Sequence, residues 1–314
     1  MNKLSSSQLK KLNNDGYLVV ERNIDYHQLI LARKAADRIK KKCIKIGYPY
    51  CRADNRLSDR FIEKIDNIFC PDLFEKELLL QTVNSPALIY AKQVLGAANI
   101  YLAFQRLHTT EKYSAYSCWH RDAPADGEFS ALKISIPLYN EVGFYVIPGS
   151  HKKGDTQIDN GTCNSSDRSH YANEVRVAIK AGDILLFHCS LLHRGTCPGR
   201  KKYKRAHLHF NFIRDEAANK FGQVKQDFLS QPYISEIVSE DWQEIFKKDI
   251  PQHYPITRMH KKASILKKMK QFIARIYYYA SFMLPSSFCD SSPQWLVGFY
   301  KCPKKYKSYF GKYK

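Results

Sequence analysis

Apolar residues recur three and four positions apart over residues 26–46 and 74–95, and over 205–212 they alternate with polar ones, so the chain carries two different periods. The first spacing turns one face of a helix to a core, and the second turns one face of a strand to it. A shorter, capped helix is expected over 5–14 and leads into a strand at Tyr17-Leu-Val-Val20. Helical spacing also covers 60–69. Asn84-Ser-Pro86 divides the 74–95 stretch into two helices, with Pro86 opening the second, because proline is tolerated in a first helical turn but not further in. From 99 to 214 the apolar runs shorten and glycine and proline punctuate them, the mark of strands. This order predicts a mostly β fold, a sandwich or barrel with helices packed outside it. The expected division is a helical and β flank at 1–98, a β core at 99–214 and a basic helical extension at 215–314.

Composition and charge add to the pattern. At 314 residues and 44% apolar content the chain can bury a full core. Nine cysteines, none spaced Cys-x-x-Cys, resemble neither a zinc cluster nor an extracellular disulfide framework, and they fit a reducing compartment. No N-terminal stretch has a signal peptide's apolar core and none approaches the roughly twenty apolar residues of a membrane span, so a cytoplasmic location is expected. The charge is uneven. Of the net +20, residues 251–314 carry thirteen Lys plus Arg against one acid, Asp290. Over 264–284, Ile265, Leu266, Met269, Phe272 and Ile276 recur at helical spacing while Lys267, Lys268, Lys270 and Arg275 fall on the other side. Such a helix packs on a core with a solvated basic face, docks on anionic lipid as a peripheral contact on the inner face of a membrane, or binds nucleic acid, the least favoured of the three.

The candidate chemistry lies in the strand-rich half. His120 and Asp122, in Ser117-Cys-Trp-His-Arg-Asp-Ala-Pro124, are separated by one residue, and i and i+2 of an extended segment share a side while Arg121 points away. With His193 they offer two imidazoles and a carboxylate, a set that covers one face of a ferrous ion and leaves the opposite face open. His193 ends the apolar stretch Gly182-Asp-Ile-Leu-Leu-Phe-His-Cys-Ser-Leu-Leu-His193, read as one strand. His188 competes for the role, but five residues before His193 it falls on the other face of a regular strand. The 205–212 alternation puts Arg205, His207, His209 and Asn211 on one polar face.

Taken in order, Asn14-Asp-Gly-Tyr-Leu-Val-Val20, Trp119-His-Arg-Asp122, Val146-Ile-Pro-Gly-Ser-His151, the Gly182 to His193 stretch and Arg205 resemble the phytanoyl-CoA dioxygenase family of iron(II)- and 2-oxoglutarate-dependent oxygenases. The resemblance implies a double-stranded β-helix, or jelly roll, with His120, Asp122 and His193 as the iron ligands and Fe(II), 2-oxoglutarate and O2 as the reactive set. It implies that Arg205 pairs with the far carboxylate of 2-oxoglutarate, a task for which a planar guanidinium fork is suited. Lys204 and Arg200 are neighbouring cations of a solvated loop, and Gln105, on the strand before His120, is a further candidate for a co-substrate contact. The chain departs from the family in the short Tyr139-Asn-Glu-Val-Gly-Phe144, which bears on the substrate-side loop. Pro148-Gly149 reads as a tight turn decorated by Ser150 and His151. Because oxygenases similar to this family include hydroxylases of the lipopolysaccharide sugar Kdo, the basic tail points to an anionic membrane-associated amphiphile as substrate. A soluble small-metabolite hydroxylase, or a metal- or nucleic-acid-binding module without turnover, are the alternatives.

Overall fold

The computed structural model describes residues 3–22, 24–46, 51–53, 62–96, 100–110, 119–123, 129–152, 171–195, 204–214 and 227–247. The helix expected over 264–284, and Arg200, lie outside them. Helix α1 (Ser6–Asp15) opens on a reciprocal cap, in which the Gln8 amide N–H donates to Ser5 Oγ at 3.2 Å and the Ser5 N–H to Gln8 Oε1 at 2.8 Å. It ends at Gly16, whose φ of 80° favours glycine. A Cβ there would also run into the His151 ring, so the turn is glycine on two counts. Strand β1 (Tyr17–Val20) and helix α2 (Tyr26–Ile46) follow as their patterns predict. Helices α3 (Lys76–Val83) and α4 (Ala87–Leu95) are separated at the Asn84-Ser-Pro86 break, with Pro86 as the cap of α4.

One expectation is corrected. The 60–69 stretch is not helical, because 62–66 form strand β3 (Ile62–Asp66), paired with β2 (Cys51–Ala53) and with β4 (Ile100–Thr110). Ile65, Ile68 and Phe69 are fully buried, and their three-and-one spacing imitates a helix face. A turn through Asn67, at φ 57°, produces that spacing instead, while the Arg106 guanidinium pairs with Asp66 across the two strands. Cross-strand pairing outweighs local period here.

The remaining strands are β5 (Ala131–Pro137), β6 (Glu141–Val146), β7 (Val175–Ile179), β8 (Ile184–His188), β9 (His193–Gly195) and β10 (Arg205–Arg214), followed by two short helices, α5 (Pro232–Ser235) and α6 (Glu240–Lys247). They form a seven-stranded sheet ordered β1-β8-β5-β10-β4-β3-β2 and a three-stranded sheet ordered β7-β6-β9, with antiparallel pairing throughout. This is the jelly-roll core.

The two faces of the larger sheet differ in chemistry. Leu107, Ile134, Ile136, Leu186, Leu208 and Phe210 share one core with residues of α2, α3 and α4. Register sets His108, Lys133, Ser135, His207, His209 and Asn211 on the opposite face, toward the small sheet, with His207 opposite His108, His209 opposite Ser135 and Asn211 opposite Lys133. Polar residues deep in a barrel cost free energy unless they are paired or bind something. That face is where the chemistry is built.

Candidate metal centre

The chain crosses from the large sheet to the small one between β8 and β9, in the four residues Cys189-Ser-Leu-Leu192. The single strand expected from Gly182 to His193 is therefore two strands and a corner, closed by the Leu191 N–H on His188 O at 2.9 Å. His188 stands opposite Leu132, on the helix-packed face, where its Nδ1 accepts from the Ser190 N–H at 3.0 Å and its ring packs on Phe129 at 4.5 Å. His193 starts the next strand on the other side of the corner.

His193 and His120 exchange backbone hydrogen bonds of 3.0 and 3.1 Å as an isolated bridge, and the two rings lie 4.3 Å apart. Two residues on, the chain bends, and the Asp122 and Ala123 N–H groups both donate to Cys189 O at 2.8 and 3.0 Å. Between them Arg121 points the other way, donating to Ser150 O at 2.6 Å and to Ser190 O, and so clamps the corner from outside. The His193 Nδ1–H donates to Leu191 O at 2.9 Å, which leaves Nε2 with its lone pair 3.6 Å from Asp122 Oδ2. One donor atom from each of His120, Asp122 and His193 lies within 4.8 Å of the others.

Electrostatics put Asp122 and His193 in the states a metal requires. Burial pushes the Asp122 carboxyl up, but the Lys133 ammonium holds it well below the usual carboxylate range. Burial and the neighbouring His120 push His193 down to about 3, so its ring is neutral. A carboxylate and two imidazoles on one side of a point, with no thiolate among them, fit a ferrous ion better than a closed tetrahedral zinc site.

A model of the phytanoyl-CoA dioxygenase family matches residues 12–197, more than half of the chain. The chain belongs to this family. Its enzymes are non-haem iron- and 2-oxoglutarate-dependent oxygenases, and so is this dioxygenase, with iron and 2-oxoglutarate as its cofactor and co-substrate. No curated protein sequence matches it. Among solved structures it is similar to EctD from S. alaskensis with 2-oxoglutarate and 5-hydroxyectoine, at 18% identity and a TM-score of 0.54 over 71% of this chain and 79% of that one. HygX from Streptomyces hygroscopicus, with nickel and 2-oxoglutarate bound, gives 15% identity and a TM-score of 0.51 over 68% and 88%. SnoK, a non-haem carbocyclase from nogalamycin biosynthesis, gives 15% and 0.52 over 68% and 85%. At these identities the likeness speaks for the shared fold.

Around Arg205 the dioxygenase holds a residue that its motifs did not reveal. Arg205 opens β10 and is nearly buried, and its Nε donates to Glu141, which is itself buried at the start of β6. Glu141 Oε1 accepts from the Gly143 N–H at 2.6 Å, and Oε2 lies 2.8 Å from His207 Nε2. Burial pushes His207 down, so its neutral ring donates from Nε2 to Glu141 and meets Ser135 Oγ at Nδ1, 2.9 Å away. The Arg205 Nη1 end passes so close to Gly195 that a Cβ there would sit 2.7 Å from it. Lys204 is exposed beside Tyr139, a solvated position. Gln105 is a correction. It pairs with Phe210 and shares a face with Leu107, so it points into the helix-packed layer and away from Arg205. The departure from the family at residues 139–144 is thus where Glu141 enters, and the one charge in the apolar run Ala131-Leu-Lys-Ile-Ser-Ile-Pro137 is the signal that could have found Lys133.

Ser150 and His151 do more than decorate a turn. The Leu192 N–H donates to Ser150 Oγ at 2.9 Å, the Gly149 N–H to Asp15 O at 2.9 Å, and the His151 Nε2–H to Asn13 O at 3.2 Å. The Asn14-Asp-Gly and Pro-Gly-Ser-His motifs therefore meet and brace the corner that carries His193. Burial and the nearby His188 push His151 from the ordinary 6.5 down to about 4. The unfolded chain thus takes up this proton first, so its contribution to stability is complete above pH 6.5 and is lost as the pH falls toward 4. Urea unfolding at pH 7.5 and pH 5 is expected to show a smaller loss of stability in His151→Gln than in wild type, and equal losses would remove His151 from this role.

Proposed function

We propose that His120, Asp122 and His193 hold the iron of this dioxygenase, that Arg205 receives the far carboxylate of 2-oxoglutarate through its terminal nitrogens, and that the enzyme hydroxylates an anionic, membrane-associated amphiphile such as a lipid-linked sugar of the Kdo type. The convergence of the three donors within 4.8 Å supports the metal assignment. Bound iron with 2-oxoglutarate and O2 supplies the oxidation, yielding succinate and carbon dioxide as the substrate gains oxygen. The chain's own part is positioning. The Leu191 carbonyl fixes the His193 tautomer, Arg121 and Ser150 hold the corner, and the Phe144 and Phe187 rings, 5.7 and 5.0 Å from the His193 ring, shield it from water.

The substrate class rests on the tail, where residues 251–314 carry +12 of the net +20 and an amphipathic basic pattern runs over 264–284. Each basic residue near an anionic surface contributes roughly 1 kcal/mol. Among the described residues no helix is long and apolar enough to cross a membrane. A soluble small polar substrate is the second reading, favoured by 5-hydroxyectoine in the structure of EctD. Co-sedimentation separates them. The protein is expected to pellet with anionic but not neutral liposomes, to be released by salt because the Debye length is about 8 Å at physiological strength, and to bind less when Lys267, Lys268, Lys270 and Arg275 become Gln. Weak, salt-independent binding that these replacements leave unchanged would leave the small-metabolite reading in possession. Mass spectrometry of lipid and polar extracts incubated with enzyme, iron and 2-oxoglutarate then identifies the hydroxylated compound.

A further inference from the structure

Lys133 lies in the middle of β5, 7% exposed, on the polar face of the large sheet. Its Nζ hydrogen-bonds Asp122 Oδ2, the same oxygen that faces His193 Nε2 at 3.6 Å. The ammonium also lies 5.7 Å from the centre of the Phe104 ring and 5.4 Å from that of Phe187. A divalent ion held between Asp122 and His193 through that oxygen would compete with this ammonium for it.

Formal charge at the site gives the competition a purpose. Arg205 is already matched by Glu141 in a buried ion pair, so it brings no spare positive charge to the pocket. The ferrous ion's two positive charges meet one negative charge on Asp122 and two on 2-oxoglutarate. That leaves one uncompensated negative charge, and Lys133, whose ammonium already lies on Asp122, is the cation positioned to cancel it. The rings of Phe104 and Phe187 give the ammonium a favourable environment when it is off the carboxylate.

We propose that Lys133 is an exchange cation, holding Asp122 in the metal-free protein and, once the metal takes that oxygen, supplying the positive charge that balances bound 2-oxoglutarate. Lys133 thereby couples the two binding events. It weakens metal binding alone, strengthens 2-oxoglutarate binding to the metal-loaded site, and makes each ligand raise the affinity for the other by the same factor. It is a positioning residue, and its role rests on the iron and 2-oxoglutarate site proposed above.

The test is an anaerobic titration of wild type, Lys133→Met and Lys133→Arg with Fe(II) alone, and then with 2-oxoglutarate at saturating Fe(II), read by the visible metal-to-co-substrate absorption and by calorimetry. Lys133→Met is expected to bind Fe(II) alone roughly tenfold tighter and 2-oxoglutarate roughly tenfold more weakly, the scale of one charge at a partly buried site, while Lys133→Arg retains the wild-type coupling. If Lys133→Met does not fold, Lys133→Gln carries the same expectation, since it keeps a donor and loses the charge. Unchanged affinities, or Fe(II) and 2-oxoglutarate affinities that fall together, would overturn the exchange role and leave Lys133 as a structural partner of Asp122. Absence of both ligands from wild type itself would sink the site assignment instead, so the two failures are distinguishable.

Discussion

His120→Ala, Asp122→Ala and His193→Ala are each expected to abolish oxygen-dependent turnover of 2-oxoglutarate and the visible band that iron and 2-oxoglutarate give together without oxygen. Each donor holds one corner of a three-atom face, and removing one leaves two, too few to fix a ferrous ion with its open side toward the co-substrate. Asp122→Ala also deprives Lys133 of its partner in the metal-free protein. His188→Ala is the control. Its imidazole caps the Ser190 N–H on the far face of the sheet, so its loss costs stability of roughly 1–3 kcal/mol, the penalty for an unpaired buried donor, and spares the metal site. An inactive His188→Ala beside an active His193→Ala would reverse the assignment.

What the sequence conveyed about this site follows the range of each interaction. His120 and Asp122 were legible because their relation is local: one residue between them is enough to bring both donors to one side, even though the chain bends at Asp122 instead of continuing as a strand. His193 was legible as a polar residue at the end of an apolar stretch, although the corner at Cys189-Ser-Leu-Leu192, which separates it from His188, was not. Gln105 was misplaced because β4 carries apolar residues at both parities, Phe104 on one face and Leu107 on the other, so alternation could not say which face meets the pocket. Pairing with β10 decides that, and pairing is a long-range fact. Glu141 lay beyond reach for the same reason: its meaning depends on β6 and β10, 64 residues apart, meeting across the two sheets. The strand at Ile62–Asp66 was hidden by a turn that mimics helical spacing.

Arg205→Ala is expected to raise the apparent KM for 2-oxoglutarate by one to two orders of magnitude, roughly the worth of a charge-assisted bidentate contact in a desolvated pocket, while leaving anaerobic iron binding in place. It has a second consequence that has to be separated from the first. Glu141 would be left as a buried, unmatched carboxylate, and breaking a buried pair from one side costs about 3–5 kcal/mol, a large share of the roughly 5–15 kcal/mol that holds a domain folded. The double variant Arg205→Met with Glu141→Gln removes both charges, so it is expected to recover most of the lost stability without recovering the KM. Gly195→Ala approaches the same question without removing a charge. Its new Cβ would lie 2.7 Å from Arg205 Nη1, so the guanidinium must shift, and the KM is expected to rise while Glu141 keeps its partner. Lys204→Ala, at an exposed position, leaves the KM unchanged. Equal 2-oxoglutarate affinity in wild type and in a folded Arg205→Met/Glu141→Gln variant would take Arg205 out of the co-substrate site and confine it to the buried network with Glu141 and His207.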